Sequence, residues 1–223
     1  MQAFIRKITK KITGKNISKE VPLKLLIGLS LSYSNALLRG IIFGKGIFFL
    51  FPGVTIIGKS NCNFGRYCTL GKNTKIISYA NNVVKFGEFA KIGDYSIVSC
   101  TSSIKKIGYG FELGNHSGFG EFCYFGSVGG IVIGDNVIGG QYVSFHSENH
   151  IVSVDDKNAN FSKTKSDGIS IGNNCWVGAK VTFLDGVHIG NNCIVAAGAV
   201  VTKSYGDNVV IAGVPAKIVK EVK

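Results

Sequence analysis

The chain has 223 residues, 45% of them hydrophobic, with thirty glycines against three prolines and a formal net charge of +12. That length and apolar content suit one substantial globular domain and exclude a disordered chain. The charge invites a nucleic-acid reading. No RNP-like, zinc-finger or helix-turn-helix pattern accompanies it, however, and the aromatic residues read as fillers of the inward slots of a repeat.

The excess charge is concentrated at the start. From Met1 to Lys45 the basic residues Arg6, Lys7, Lys10, Lys11, Lys15, Lys19, Lys24, Arg39 and Lys45 face only Glu20, a balance suited to an anionic membrane surface. The stretch 21–43 is apolar enough to raise a membrane-spanning reading, but Lys24, Arg39, several serines and Asn35 interrupt it, and no A-x-A-like cleavage site follows. Leu25, Leu29 and Tyr33 fall on one helical face, with Leu26 and Leu37 nearby. Residues 1–45 are therefore expected to form a basic, apolar helical leader that either lies in a membrane interface or packs on the rest of the protein.

A six-residue beat then sets in: Phe64-Gly65 and Leu70-Gly71; Phe86-Gly87 and Ile92-Gly93; Ile107-Gly108, Leu113-Gly114, Phe119-Gly120 and Phe125-Gly126; Ile133-Gly134. Its phase slips by a few residues between trains, as loops or imperfect corners would cause. The beat is most regular at Ile171-Gly172, Val177-Gly178, Phe183-Leu184, Ile189-Gly190 and Val195-Ala196, where the fifth residue of each block is small or β-branched: Cys175, Val181, Val187, Cys193, Ala199. A helix repeats every three to four residues and a half-buried strand every two, whereas a period of six belongs to stacked coils of a β-helix. Two positions per block would then fill a narrow core. Cys62, Cys68, Cys123, Cys175 and Cys193 all take fifth-position slots and read as small, reduced core residues rather than a disulfide scaffold.

The beat is interrupted at length once, between Phe145 and Gly168, by polar and charged residues. A long insertion in a repeat fold usually carries function. This one opens with SFHSENH, which holds His146, Glu148, Asn149 and His150. A neutral imidazole titrates near physiological pH, so His150 and His146 are candidate general bases, and Glu148 is a carboxylate able to orient an imidazole.

The pattern [LIV]-[GAED]-x-x-[STAV]-x, together with IGNNCWVGAKVTFLDGVHIGNNCIVAAGAVVTK and AGVPAKIVK, resembles the hexapeptide-repeat sugar and polysaccharide O-acetyltransferases of the galactoside, maltose and cell-surface-polysaccharide type. The resemblance implies an all-β, left-handed parallel β-helix with an N-terminal helical leader and one long active-site loop. This handedness comes from the family, since crossover connections are right-handed by default. The boundaries it suggests are a leader at 1–45, a β-helix at 46–215 with the loop at 145–168, and a C-terminal tail at 216–223.

It further implies acetyl-CoA as co-substrate, no metal, and a homotrimer with clefts built between subunits. The acceptor would be a sugar hydroxyl of a surface polysaccharide or its lipid-linked precursor, and the setting cytoplasmic, peripheral on the inner membrane face through residues 1–45. Matched residue by residue, His150 is the general base, and Ala179, Ala197, Thr202, Lys203, Lys217 and Lys220 contact coenzyme A. Trp176 lines the cleft and Asn149 is a candidate on the acceptor side; Glu121, where the chain departs from the family, is a further candidate as a carboxylate able to hydrogen-bond sugar hydroxyls. Two departures stand out: Lys203-Ser204-Tyr205-Gly206-Asp207-Asn208 replaces the family's Lys-Asp-Ile-Pro-Pro-Asn, and Gly120-Glu121-Phe122 stands where galactoside enzymes present an Asn. A zinc enzyme of the γ-carbonic-anhydrase type shares the fold, but His116, His146, His150 and His188 lack its ligand spacing. A catalytically silent scaffold for glycan assembly is the alternative from another class.

Overall fold

A computed structural model describes Ser18 and residues 20–44, 46–102, 106–155 and 158–222; the side chains of 152–155 and 158–162 are outside the description. The chain winds through three parallel sheets, contributing one short strand to each per coil. In the most regular coil these strands are Ile169–Ile171 on face C, Trp176–Val177 on face A and Thr182–Leu184 on face B. Ile171 pairs with Ile189, Val177 with Val195 and Phe183 with Val201, so three six-residue blocks complete one turn.

The first and fifth residues of each block point inward. Ile171, Val177, Phe183, Ile189 and Val195 are buried, and so are Cys175, Val181, Val187, Cys193 and Ala199. Phe125, Phe145 and Phe183 stack face to face along the axis, with centroids 5.1 and 4.8 Å apart, and form the spine of the core. Cys68, Cys100, Cys123, Cys175 and Cys193 are buried free thiols, and Cys62 is half-buried.

Two of the three corners are held to a fixed length. Every passage from face C to face A, and every passage from A to B, leaves four residues between strands. Only the passage from B to C varies, holding four, six, eleven, four, twenty-two and three residues in successive coils. The phase slips of the sequence therefore all fall at one corner.

The C-to-A corner is held by a ladder that explains the Gly-Asn and Gly-Asp pairs. Asn115, Asp135, Asn173, Asn191 and Asp207 each accept, through side-chain oxygen, a hydrogen bond from a backbone N–H one coil earlier, at 2.9, 2.6, 2.7, 2.8 and 2.7 Å. The next residue sits in the left-handed region at Asn136, Asn174, Asn192 and Asn208, a conformation that Asn tolerates better than most side chains.

At the A-to-B corner of three successive coils that left-handed position is aromatic. Tyr95, Phe122 and Tyr142 stack nearly parallel, at 5.2 and 5.1 Å between centroids, and their outer edges are exposed. For these three residues this corrects the expectation that the aromatics fill inward slots, which Phe125, Phe145 and Phe183 do.

Helix α1, Leu23–Arg39, runs into a π-turn at Gly40–Gly44 and packs on the outside of the first strand of face A, Phe49–Leu50. Tyr33 meets Phe49 and Phe51 edge-on at 5.1 and 5.2 Å, with Ala36 and Leu37 alongside. The apolar face read from the sequence is divided: Leu26 is fully buried and Tyr33 packs inward, while Leu25 and Leu29 are exposed. Residues 1–17 of the expected leader lie outside the described residues. At the other end Ala216–Glu221 is a strand pairing antiparallel with Val209–Gly213, so the expected tail extends face A.

Candidate active site

The long insertion is itself regular. Asn149–Asp155 and Asn158–Lys165 form an antiparallel ribbon projecting from the B-to-C corner, with Asn149 opposite Lys165 and His150 opposite Thr164. His150 is thus displayed on the first strand of a hairpin rather than on an irregular loop.

The root of the hairpin is fastened by buried polar contacts. Ser147 Oγ donates to Gly126 O at 2.8 Å and accepts from Gly129 N at 2.9 Å. Lys106, on the eleven-residue passage two coils earlier, donates to Glu148 Oε1 at 2.8 Å, Thr164 Oγ1 at 2.9 Å and Ser166 Oγ at 2.8 Å. One ammonium therefore ties both strands of the ribbon at their root to a passage two coils earlier. Burial pushes the Glu148 carboxyl up, but hydrogen bonds from Lys106, Thr164 and Ser102 outweigh it and hold the group below its ordinary value. Glu148, weighed from sequence as an orienter of an imidazole, is held in this clamp.

His146 ends Ser144–His146 on face B. It points outward, with its ring 5.6 Å from that of Tyr124. Trp176 lies on the outer side of face A between Ile138 and Ile194 and is 58% exposed. Glu121 falls in one column with Gln141, Ala179 and Ala197 at the A-to-B corner, linked by hydrogen bonds from Tyr142 N, Lys180 N and Gly198 N to the carbonyls of Glu121, Gln141 and Ala179. The column is tight at its base: a Cβ on Gly140 would lie 2.6 Å from Ala179 N, and one on Gly178 would lie 2.4 Å from Ala197 N.

Thr202 and Lys203 follow the last strand of face B, with Lys203 Nζ 5.7 Å from the Tyr205 ring centroid, and Lys217 and Lys220 line the final strand of face A. Within one chain the structure therefore groups Glu121, Ala179 and Ala197 at one corner and displays His150 at another, with Trp176 on the face leading to the first. It does not bring His150 against the other residues inside a single solenoid.

Two features were invisible to sequence reasoning. The Lys106 clamp joins residues 42 to 60 positions apart. A groove of about 280 Å³ runs beside the hairpin root on face C, where Ser170 Oγ lies 2.8 Å from His188 Nδ1. Among the described residues no group of three His, Cys, Asp or Glu side chains converges on one point. His116 lies at the C-to-A corner stacked on Phe89, and His146, His150 and His188 lie on face B, the hairpin and face C.

Residues 168–203 match the family model described as bacterial transferase hexapeptide (six repeats). A protein of Dictyostelium discoideum named as an acetyltransferase is 37% identical over 121 residues, 52% of this chain and 62% of that protein. The galactoside O-acetyltransferase of Escherichia coli K12 is 40% identical over 93 residues, 41% of this chain and 44% of that enzyme. A protein of the same organism named as a lipopolysaccharide biosynthesis O-acetyl transferase is 25% identical over 166 residues, 71% of each chain. The chain thus spans about three fifths of the first of these relatives and under half of the second. Among solved structures, AntD, an N-acyltransferase from Bacillus cereus in complex with dTDP and coenzyme A, covers 83% of this chain and 90% of its own at 14% identity with a TM-score of 0.55, a likeness of fold.

Proposed function

We infer that this chain, which carries the hexapeptide repeat of bacterial transferases, is an acetyl-CoA-dependent O-acetyltransferase acting on a sugar hydroxyl of a surface polysaccharide or its lipid-linked precursor. The observation that carries the reading is the clamped hairpin: a histidine displayed on a ribbon whose two strands are tied to the solenoid by one lysine. An exposed but anchored imidazole suits a base that must meet a polar acceptor at a fixed height along the solenoid.

The separation of His150 from the Ala179–Ala197 column argues for a site completed by a second copy. In a left-handed solenoid assembled as a trimer, the hairpin corner of one copy would face the small-residue corner of the next, with the pantetheine arm between them. Ala179 and Ala197 leave room for that arm. Thr202, Lys203, Lys217 and Lys220 supply polar and cationic contacts for the nucleotide phosphates, and Trp176, Glu121 and Asn149 border the acceptor.

In this scheme His150 takes the proton from the sugar hydroxyl as its oxygen attacks the thioester carbonyl. Backbone amides hold the tetrahedral oxyanion. Collapse breaks the carbon–sulfur bond, the leaving thiolate takes the proton held on the His150 imidazolium, and the products are the O-acetyl sugar, free coenzyme A and a neutral His150. No covalent enzyme intermediate forms.

The test is transfer of labelled acetyl from acetyl-CoA into a lipid-linked glycan extract of the host. Wild type should incorporate label, and His150→Ala should lose on the order of 10²–10⁴ in rate while keeping its fold. Equal incorporation by the mutant would remove His150 from the chemistry. No incorporation by the wild type would favour a silent scaffold.

A further inference from the structure

We propose that the outer side of helix α1 and its π-turn seats the protein peripherally on an anionic lipid surface. The helix carries two apolar stripes. One, Tyr33, Ala36 and Leu37, is spent on Phe49 and Phe51 of the first coil, and Leu26 is fully buried. The other runs through Ile27, Leu31 and Leu38, at i, i+4 and i+11, and continues into Ile41, Ile42 and Phe43 of the π-turn. These six residues are between 41% and 67% exposed. A helix apolar on both sides with only one side covered has a second partner to meet.

Charge identifies the partner. Residues 1–45 hold nine Lys and Arg against one Glu, eight of the chain's twelve net positive charges. A second copy docking through the same face would bring two such segments together, and like charges oppose that. An anionic bilayer offers what both features need: hydrocarbon for Leu31, Leu38 and Phe43, and negative headgroups for the basic segment.

The same packing sets the mode of attachment. Leu23–Phe43 has the length and composition to cross a membrane, but a crossing helix would have to leave Phe49 and Phe51. A helix held along the solenoid presents only its outer stripe, and so lies in the interface. The hairpin leaves the solenoid four strands of face A beyond α1, which at one inter-strand spacing per coil places it ~19 Å along the axis. That is a standing distance at which a glycan carried on a lipid would reach it.

The experiment is co-sedimentation of the full chain with phosphatidylcholine vesicles, with and without phosphatidylglycerol. Wild type should pellet with the anionic vesicles, less so at high salt. Leu31→Gln/Leu38→Gln/Phe43→Gln should lower that binding about tenfold or more, with thermal midpoint and oligomeric state unchanged. Four results would each overturn the proposal. These are no anionic binding by wild type, undiminished binding by the triple variant, a smaller oligomer in the variant (which assigns the face to a second copy), and wild-type protein that resists alkaline carbonate (which assigns a spanning helix). No acyl acceptor enters the assay, so its outcome is separate from that of the transferase test.

Discussion

Lys106 Nζ lies 2.8 Å from Glu148 Oε1, joining two excursions that leave the solenoid at the same corner. The carboxylate side chain is only 15% exposed, so its charge is satisfied chiefly by this lysine and by the hydroxyls around it. Lys106→Met should cost about 1–3 kcal/mol locally by leaving Glu148 without its cation. Hydrogen exchange should show faster opening of the amides of 149–165 with the rest of the solenoid unchanged, and Lys106→Arg should restore part of the protection.

The same pair makes the hairpin acid-sensitive. The folded Glu148 carboxyl titrates below its ordinary value, so its contribution is fully present above about pH 4.3, the unfolded value, and is lost as pH falls through the lower folded one. Exchange protection of the hairpin should fall in that acid range before global unfolding, and Glu148→Gln should remove the dependence.

Ala197 is exposed at the A-to-B corner, stacked one coil beyond Ala179. Ala197→Tyr adds a ring where the proposed site would hold the donor's pantetheine arm, without touching the core. The expected result is a KM for acetyl-CoA raised on the order of tenfold, about 1.4 kcal/mol, with a smaller change in kcat, measured by initial rates at varied donor concentration.

Gly134 faces the Asn173 side chain. An added Cβ would come within 2.4 Å of Asn173 Oδ1, the atom that accepts from Asp135 N. Gly134→Ala should destabilise the fold by about 1–3 kcal/mol, read as a shift in the urea midpoint. Gly206→Ala, with open space around the added methyl, should stay within about 0.5 kcal/mol of wild type.

Burial pushes the thiols of Cys123 and Cys175 up to about 11 and that of Cys100 up to about 12. The reactive species is the thiolate. At pH 8 an aromatic disulfide reagent should leave the buried thiols of the folded chain untouched and reach half-buried Cys62 first. All six should react in denaturant, and fast reaction of more than one in the native state would contradict this packing.

The C-terminal coils were legible because inward slots recur every six residues and the backbone obeys that count without exception from Ile171 to Val201. The hairpin was legible only as an interruption. Its strands carry little apolar alternation, and what fastens them is a lysine 42 residues away in sequence, so no local window contains the cause. Tyr95, Phe122 and Tyr142 were misplaced because aromatic residues favour burial, yet a signal was present. Each is the second residue after a glycine, in Gly93-Asp94-Tyr95, Gly120-Glu121-Phe122 and Gly140-Gln141-Tyr142, the slot Asn136, Asn174 and Asn192 hold at the next corner. The separation of His150 from the Ala179 column could not be read in sequence, because it depends on which corner each passage turns.

Two corners of fixed length and one of variable length make the solenoid a frame with a single port. A segment of four or of twenty-two residues leaves and re-enters between faces B and C, and the strands beyond it resume in the same register. New surface can thus be added at that edge without disturbing the core, because an insertion there changes neither the inward slots nor the Asn and Asp ladder opposite. Grafting a foreign hairpin between Ser147 and Gly168 should leave the stack intact, whereas one extra residue between Val177 and Thr182 would turn every later inward side chain out of phase.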